Sequence, residues 1–85
     1  MNTFPPSATS VRFDDAMMWV ELEDGRSLGI PLVWFPRLLR ATPQQREDFF
    51  ISPSGLHWDE IDEDISIGGL LAGNSDMTYP VKSAA

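Results

Sequence analysis

Alternation of apolar and polar side chains is clearest between residues 9 and 30. In "SVRFDD", Val11 and Phe13 alternate with Arg12 and Asp14, and in "AMMWVELEDGRSLGIPL" Met18, Val20 and Leu22 fall on one side of a strand. Asp24-Gly25 then interrupts the pattern. This pair favours a tight type I′ turn, in which both central residues take positive φ. Leu28 and Ile30 can face the first apolar set across that turn. The prediction is a three-stranded antiparallel meander with one buried face. Its other face carries Met17, Trp19, Glu21 and Glu23, so Trp19 is either covered by its own chain or presented as an aromatic anchor for a partner.

The period changes after Pro31. Leu32, Phe35, Leu38 and Leu39 recur at helical spacing, and Pro36 is acceptable only in the first turn, which places a helix start near residue 33. "TPQQRE" carries its own start signal: Thr42 as cap, Pro43 at the first helical position and Gln45 to complete a capping box, giving a short helix over 43–48. A second short hairpin follows, with Phe50 and Ile51 leading in, Pro53-Ser54-Gly55 turning and Leu56 to Trp58 returning. "ISIGGLLAG" predicts a terminal helix capped by Ser66 and ended by Gly73. Residues 1–8 read as a flexible lead-in and 74–85 as a flexible tail, which leaves one α+β domain over 9–73.

At 85 residues the chain has room for one modest core. It contains no cysteine and one histidine, which removes disulfides, thiol chemistry and Cys- or His-rich metal sites. No apolar stretch approaches the roughly 20 residues needed to span a bilayer. The first residues lack the basic and apolar regions of a secretory signal. A soluble cytoplasmic protein with no membrane role is expected. The 13 acidic residues against 6 basic ones give a net charge of −7, so direct nucleic-acid binding is disfavoured and a basic protein partner is favoured.

The negative charge peaks in "HWDEIDEDIS", where Asp59, Glu60, Asp62, Glu63 and Asp64 fall within six residues. His57 with Asp59 could begin a metal site, but no complete ligand pattern accompanies them. Ser54, His57 and Asp59 are close enough in sequence to suggest a nucleophilic triad, yet triads are defined by geometry. Neither pattern implies a catalytic residue, a metal or a cofactor. Ile61 and Ile65 punctuate the run four residues apart, which predicts an anchored turn between a strand and a helix with its carboxylates facing water. Such a surface steers a cationic partner. Trp19, Asp59, Glu60, Asp62, Glu63 and Asp64 are the candidate partner-binding residues. Arg37, Arg40 and Arg46 form either a solvated face with local ion pairs, such as Arg46 with Glu47 and Asp48, or a small basic patch.

The segments "LEDGRSLGIPL", "WFPRLLRATPQQRE" at 34–47 and "GLHWDEIDEDISIGGLLAG" at 55–73 resemble, in order and spacing, a small bacterial family of uncharacterised function. The resemblance implies a short cytoplasmic α+β protein, often encoded beside another small protein in what looks like a toxin–antitoxin pair, with this family in the antitoxin position. It supplies no catalytic residues. Some relatives carry a helix-turn-helix domain, for which the twelve residues after Gly73 offer no room. The functional expectation is a non-enzymatic protein-binding module, an antitoxin-like partner of a small basic protein. A self-associating adaptor that forms a homodimer is the alternative, and a metal-dependent or hydrolytic enzyme ranks below both.

Overall fold

A computed structural model describes residues 5–73. Two three-stranded antiparallel sheets, each a simple meander, share one core. The first contains β1 (Ala8–Phe13), β2 (Met17–Leu22) and β3 (Ser27–Pro31). Met18, Val20 and Leu22 turn inward, with Met18 opposite both Phe13 and Ile30, and Val20 opposite Val11 and Leu28. The expected face is therefore the buried one. β1 begins with Ala8, which is buried, while the Ser7 hydroxyl donates to the Pro53 carbonyl at 2.6 Å and ties the start of β1 to the second sheet.

The β2–β3 connection differs from a type I′ turn. Gly25 has φ +95°, but Asp24 does not take positive φ. Instead the Gly25 N–H donates to the Leu22 carbonyl, and the Asp24 carboxylate accepts from the Arg26 backbone N–H and from its guanidinium at 2.8 Å. The side chain of Asp24 organises the loop, so a left-handed residue is needed only at the glycine.

Helix formation after Pro31 is also interrupted. Leu32–Trp34 make a single 3-10 turn, Phe35 leaves helical geometry at φ −130°, ψ 86°, and α1 (Pro36–Arg40) begins at the proline. A continuous helix from residue 33 is excluded because the residue before proline is forced out of the α region by the pyrrolidine ring. The next helix, α2 (Pro43–Glu47), has the full capping box: Thr42 Oγ1 accepts from Gln45 N, and Gln45 Oε1 accepts from Thr42 N.

β4 (Phe50–Ser52) and β5 (Gly55–Trp58) form the expected second hairpin. A third strand, β6 (Glu63–Ser66), then pairs with β5 in the register Leu56 with Ile65 and Trp58 with Glu63. The acidic run thus does not simply turn into a helix; its second half is a strand. Ser66 then caps α3 (Ile67–Leu71), its Oγ accepting from Gly69 N at 2.9 Å.

Trp58 joins the layers. It is 1% exposed, sets its ring against Phe13 of β1 and against Phe49, and donates its indole N–H to the Arg46 carbonyl. Among the described residues no helix is long and apolar enough to cross a membrane.

Candidate functional site

The acidic segment is built as a tight turn followed by a strand. Asp62 N donates to the Asp59 carbonyl at 3.2 Å, closing the turn, and Asp62 is the only non-glycine residue with positive φ among those described. Its φ of 56° lies in the left-handed region, which aspartate tolerates better than most L-residues. The Arg37 guanidinium donates to the Asp62 carbonyl and so ties the turn to α1. Ile65 is buried and Ile61 packs against the core, as the two apolar pegs require.

Asp59, Glu60, Asp62 and Asp64 are exposed. Glu63 is not: at 2% exposure its side chain points into the protein opposite Trp58 in the β5–β6 register. The expectation that the whole run faces water is corrected here, because strand alternation sends residues 63 and 65 to one face and 64 and 66 to the other.

The arginines near the turn donate to backbone carbonyls. Arg46 donates Nε to the Leu38 carbonyl at 2.9 Å and Nη2 to the Leu39 carbonyl at 2.8 Å, so it satisfies the open carbonyls at the end of α1. This replaces the expected ion pairing with Glu47 and Asp48. Arg37 likewise serves a carbonyl. Glu60 accepts from the neutral Gln45 side chain at 3.1 Å. Two guanidinium groups thus position the backbone beneath the exposed carboxylates of Asp59, Glu60 and Asp62, which make no salt bridge among the described residues.

Trp19 lies on the outer face of the other sheet and is half-buried. Its indole N–H donates to Asp14 Oδ2 at 2.8 Å, and the Arg12 guanidinium sits 5.4 Å from the ring centre. The indole covers Gly29, where a Cβ would come 2.6 Å from the ring. Its own chain therefore claims one face of the ring. The bond to Trp19, followed by those from the Ala16 and Met17 N–H groups, holds the Asp14 carboxyl below its ordinary pKa.

A second constellation sits on the outer face of the β4–β5–β6 sheet. Asp64 Oδ1 lies 2.7 Å from His57 Nδ1, and His57 Nε2 lies 2.7 Å from Ser52 Oγ. Phe50 stacks on the imidazole with ring centres 4.8 Å apart. The sequence suggested Ser54 and Asp59 as neighbours of His57; the fold instead supplies Ser52 and Asp64, one from each flanking strand. A strict register through the Pro53-Ser54 turn was the signal available, since it pairs His57 with Phe50 and puts Ser52 on the same face. Among the described residues no three His, Asp or Glu side chains converge in a group that could hold a metal ion.

The model of the family described as "Protein of unknown function (DUF2442)" matches residues 8–76. A crystal structure of a protein of unknown function from Rhodospirillum rubrum ATCC 11170 is similar at 32% identity and TM-score 0.74, covering 87% of this chain and 94% of that one. The solution structure of an uncharacterized protein from Chromobacterium violaceum is similar at 25% identity and TM-score 0.72, covering 85% of this chain and 70% of that one. No curated protein matches.

Proposed function

We propose that the chain, which belongs to the DUF2442 family of proteins of unknown function, is a non-enzymatic binding module that meets a small basic protein through the turn at residues 59–64. The observation that carries this reading is the display of exposed carboxylates on one ordered turn. Asp59, Glu60 and Asp62 are exposed and make no salt bridge among the described residues, and Asp64 beside them is exposed with one oxygen bonded to His57. An ordered anionic surface on a chain of net charge −7 accelerates encounter with a cationic partner and disfavours phosphate-bearing ones.

The gene arrangement implied by the sequence resemblance points to the product of an adjacent gene, held as the toxin of an antitoxin-like pair in the cytoplasm. Co-expression of the two products followed by affinity capture tests this. A stable complex and relief of growth inhibition support it; capture of this chain alone, with growth inhibition unrelieved, refutes it.

Self-association is a second reading, favoured by β4. It is an edge strand whose Phe50 is 52% exposed, with Ile51 and Val33 also exposed. Edge strands with exposed apolar side chains are templates for pairing. Sedimentation over a range of concentrations distinguishes a dimer through this edge from a monomer that binds only its partner.

A further inference from the structure

The hydrogen-bonded order Asp64–His57–Ser52 has a direction. A carboxylate can only accept, so Asp64 selects the tautomer of neutral His57 with its proton on Nδ1. Nε2 is then a bare acceptor, and the hydroxyl 2.7 Å away donates to it. This is the polarity required for a base to draw a proton from a serine nucleophile. Phe50, stacked on the imidazole, restricts rotation of the base. The same hydroxyl lies 3.4 Å from the Gly55 carbonyl, an alternative acceptor when His57 is protonated.

Space for a substrate adjoins these groups. Ser54, Gly55, His57, Asp64, Ile65 and Ser66 line an open hollow of about 290 Å³. Gly55 keeps it clear: a Cβ there would stand 2.6 Å from the Ile65 carbonyl oxygen and 3.5 Å from His57 Nε2. No side chain can replace that glycine without moving β6, so no side chain stands at that point beside the base.

We propose that Ser52, bonded to the His57 ring that lines this hollow, is a nucleophile that accepts an acyl group from a small activated ester resting against His57, with His57 as its base and Asp64 as a positioning residue. This goes beyond partner binding and does not depend on it. Ser52 Oγ forms a bond to the ester carbonyl carbon while its proton passes to His57 Nε2. The carbon–oxygen bond of the ester then breaks, and His57 returns the proton to the departing oxygen. One acyl group is taken per chain. The Asp64 side chain is 73% exposed, and a site so open to water gives limited stabilisation to developing charge, so acylation is stoichiometric and needs no turnover.

p-Nitrophenyl acetate added to the full chain tests this, with release of p-nitrophenolate followed and the acetyl group located by peptide mass spectrometry. The expected result is one acetyl group on Ser52 per chain. His57→Gln should slow Ser52 labelling by about a hundredfold, the scale of a lost general base. Asp64→Asn, at an exposed position that leaves the fold intact, should slow it about tenfold, and Asp64→Glu, which keeps the carboxylate, should restore most of the rate. Labelling confined to amino groups, or Ser52 labelling at the natural rate in Asp64→Asn, would overturn the proposal.

Discussion

Arg37 donates to the Asp62 carbonyl across 25 residues of sequence, and Asp62 is the residue that carries the turn's left-handed backbone. This bond from α1 adds to the Asp62 N–H to Asp59 carbonyl bond in holding the acidic turn in shape. Arg37→Ala should destabilise the protein by about 1–2 kcal/mol, the scale of a charge-assisted hydrogen bond with some solvent access. Asp62→Gly should recover part of that loss in the same background, because glycine takes φ near 56° without steric cost. Urea unfolding of the two single variants and the double variant checks both statements.

The close approach of Trp19 to Gly29 gives a sharper steric test. A Cβ at position 29 would lie 2.6 Å from the indole, whose N–H is also held by Asp14. Gly29→Ala should cost about 1–3 kcal/mol through overpacking. The cost should shrink when Trp19 is replaced by Leu, which a thermodynamic cycle over the four proteins measures.

Arg46 acts at two levels. Its guanidinium closes the end of α1, and its own carbonyl receives the indole N–H of buried Trp58. Arg46→Lys should fail to restore what Arg46→Ala loses, because a single ammonium cannot reproduce the fork that reaches two carbonyls. A loss of about 1–3 kcal/mol in both variants is expected by chemical denaturation.

Asp14 supplies a pH dependence. Its folded pKa lies below the ordinary 3.8, first because of the Trp19 hydrogen bond and then because of two backbone N–H donors. A carboxyl depressed in the folded state stabilises it fully above pH 3.8 and loses that contribution as pH falls through the lower folded value. The Trp19 indole N–H resonance should therefore titrate with a midpoint below 3.8, and Asp14→Asn should remove the transition. A midpoint at or above 3.8 contradicts the assignment.

Features encoded within a few neighbouring residues were legible in the sequence. The alternation of β2, the Thr42–Gln45 capping box and the Ser66 cap all follow from local chemistry, and all are present. What escaped depends on contacts made only after folding. β6 was hidden because Glu63 occupies an inward position, so "EDIS" does not alternate apolar with polar even though it alternates buried with exposed. The role of Arg46 was hidden because its targets, the Leu38 and Leu39 carbonyls, become available only where α1 stops. The Ser52–His57–Asp64 order needs the registers of two successive hairpins, and a shift of one residue would send His57 to the other face.

The central claim is that the exposed carboxylates of the turn recruit a basic protein. The direct measurement is a calorimetric titration of the adjacent gene's product into this chain, at several salt concentrations, for the natural protein and for the Asp59→Asn, Glu60→Gln, Asp62→Asn triple variant. These side chains are exposed, so the variant should remain folded. The expected result is a complex that weakens as salt rises and that the triple variant weakens by about tenfold or more, with most of the salt dependence gone. Absence of binding, or binding indifferent to both salt and the three substitutions, would contradict the account.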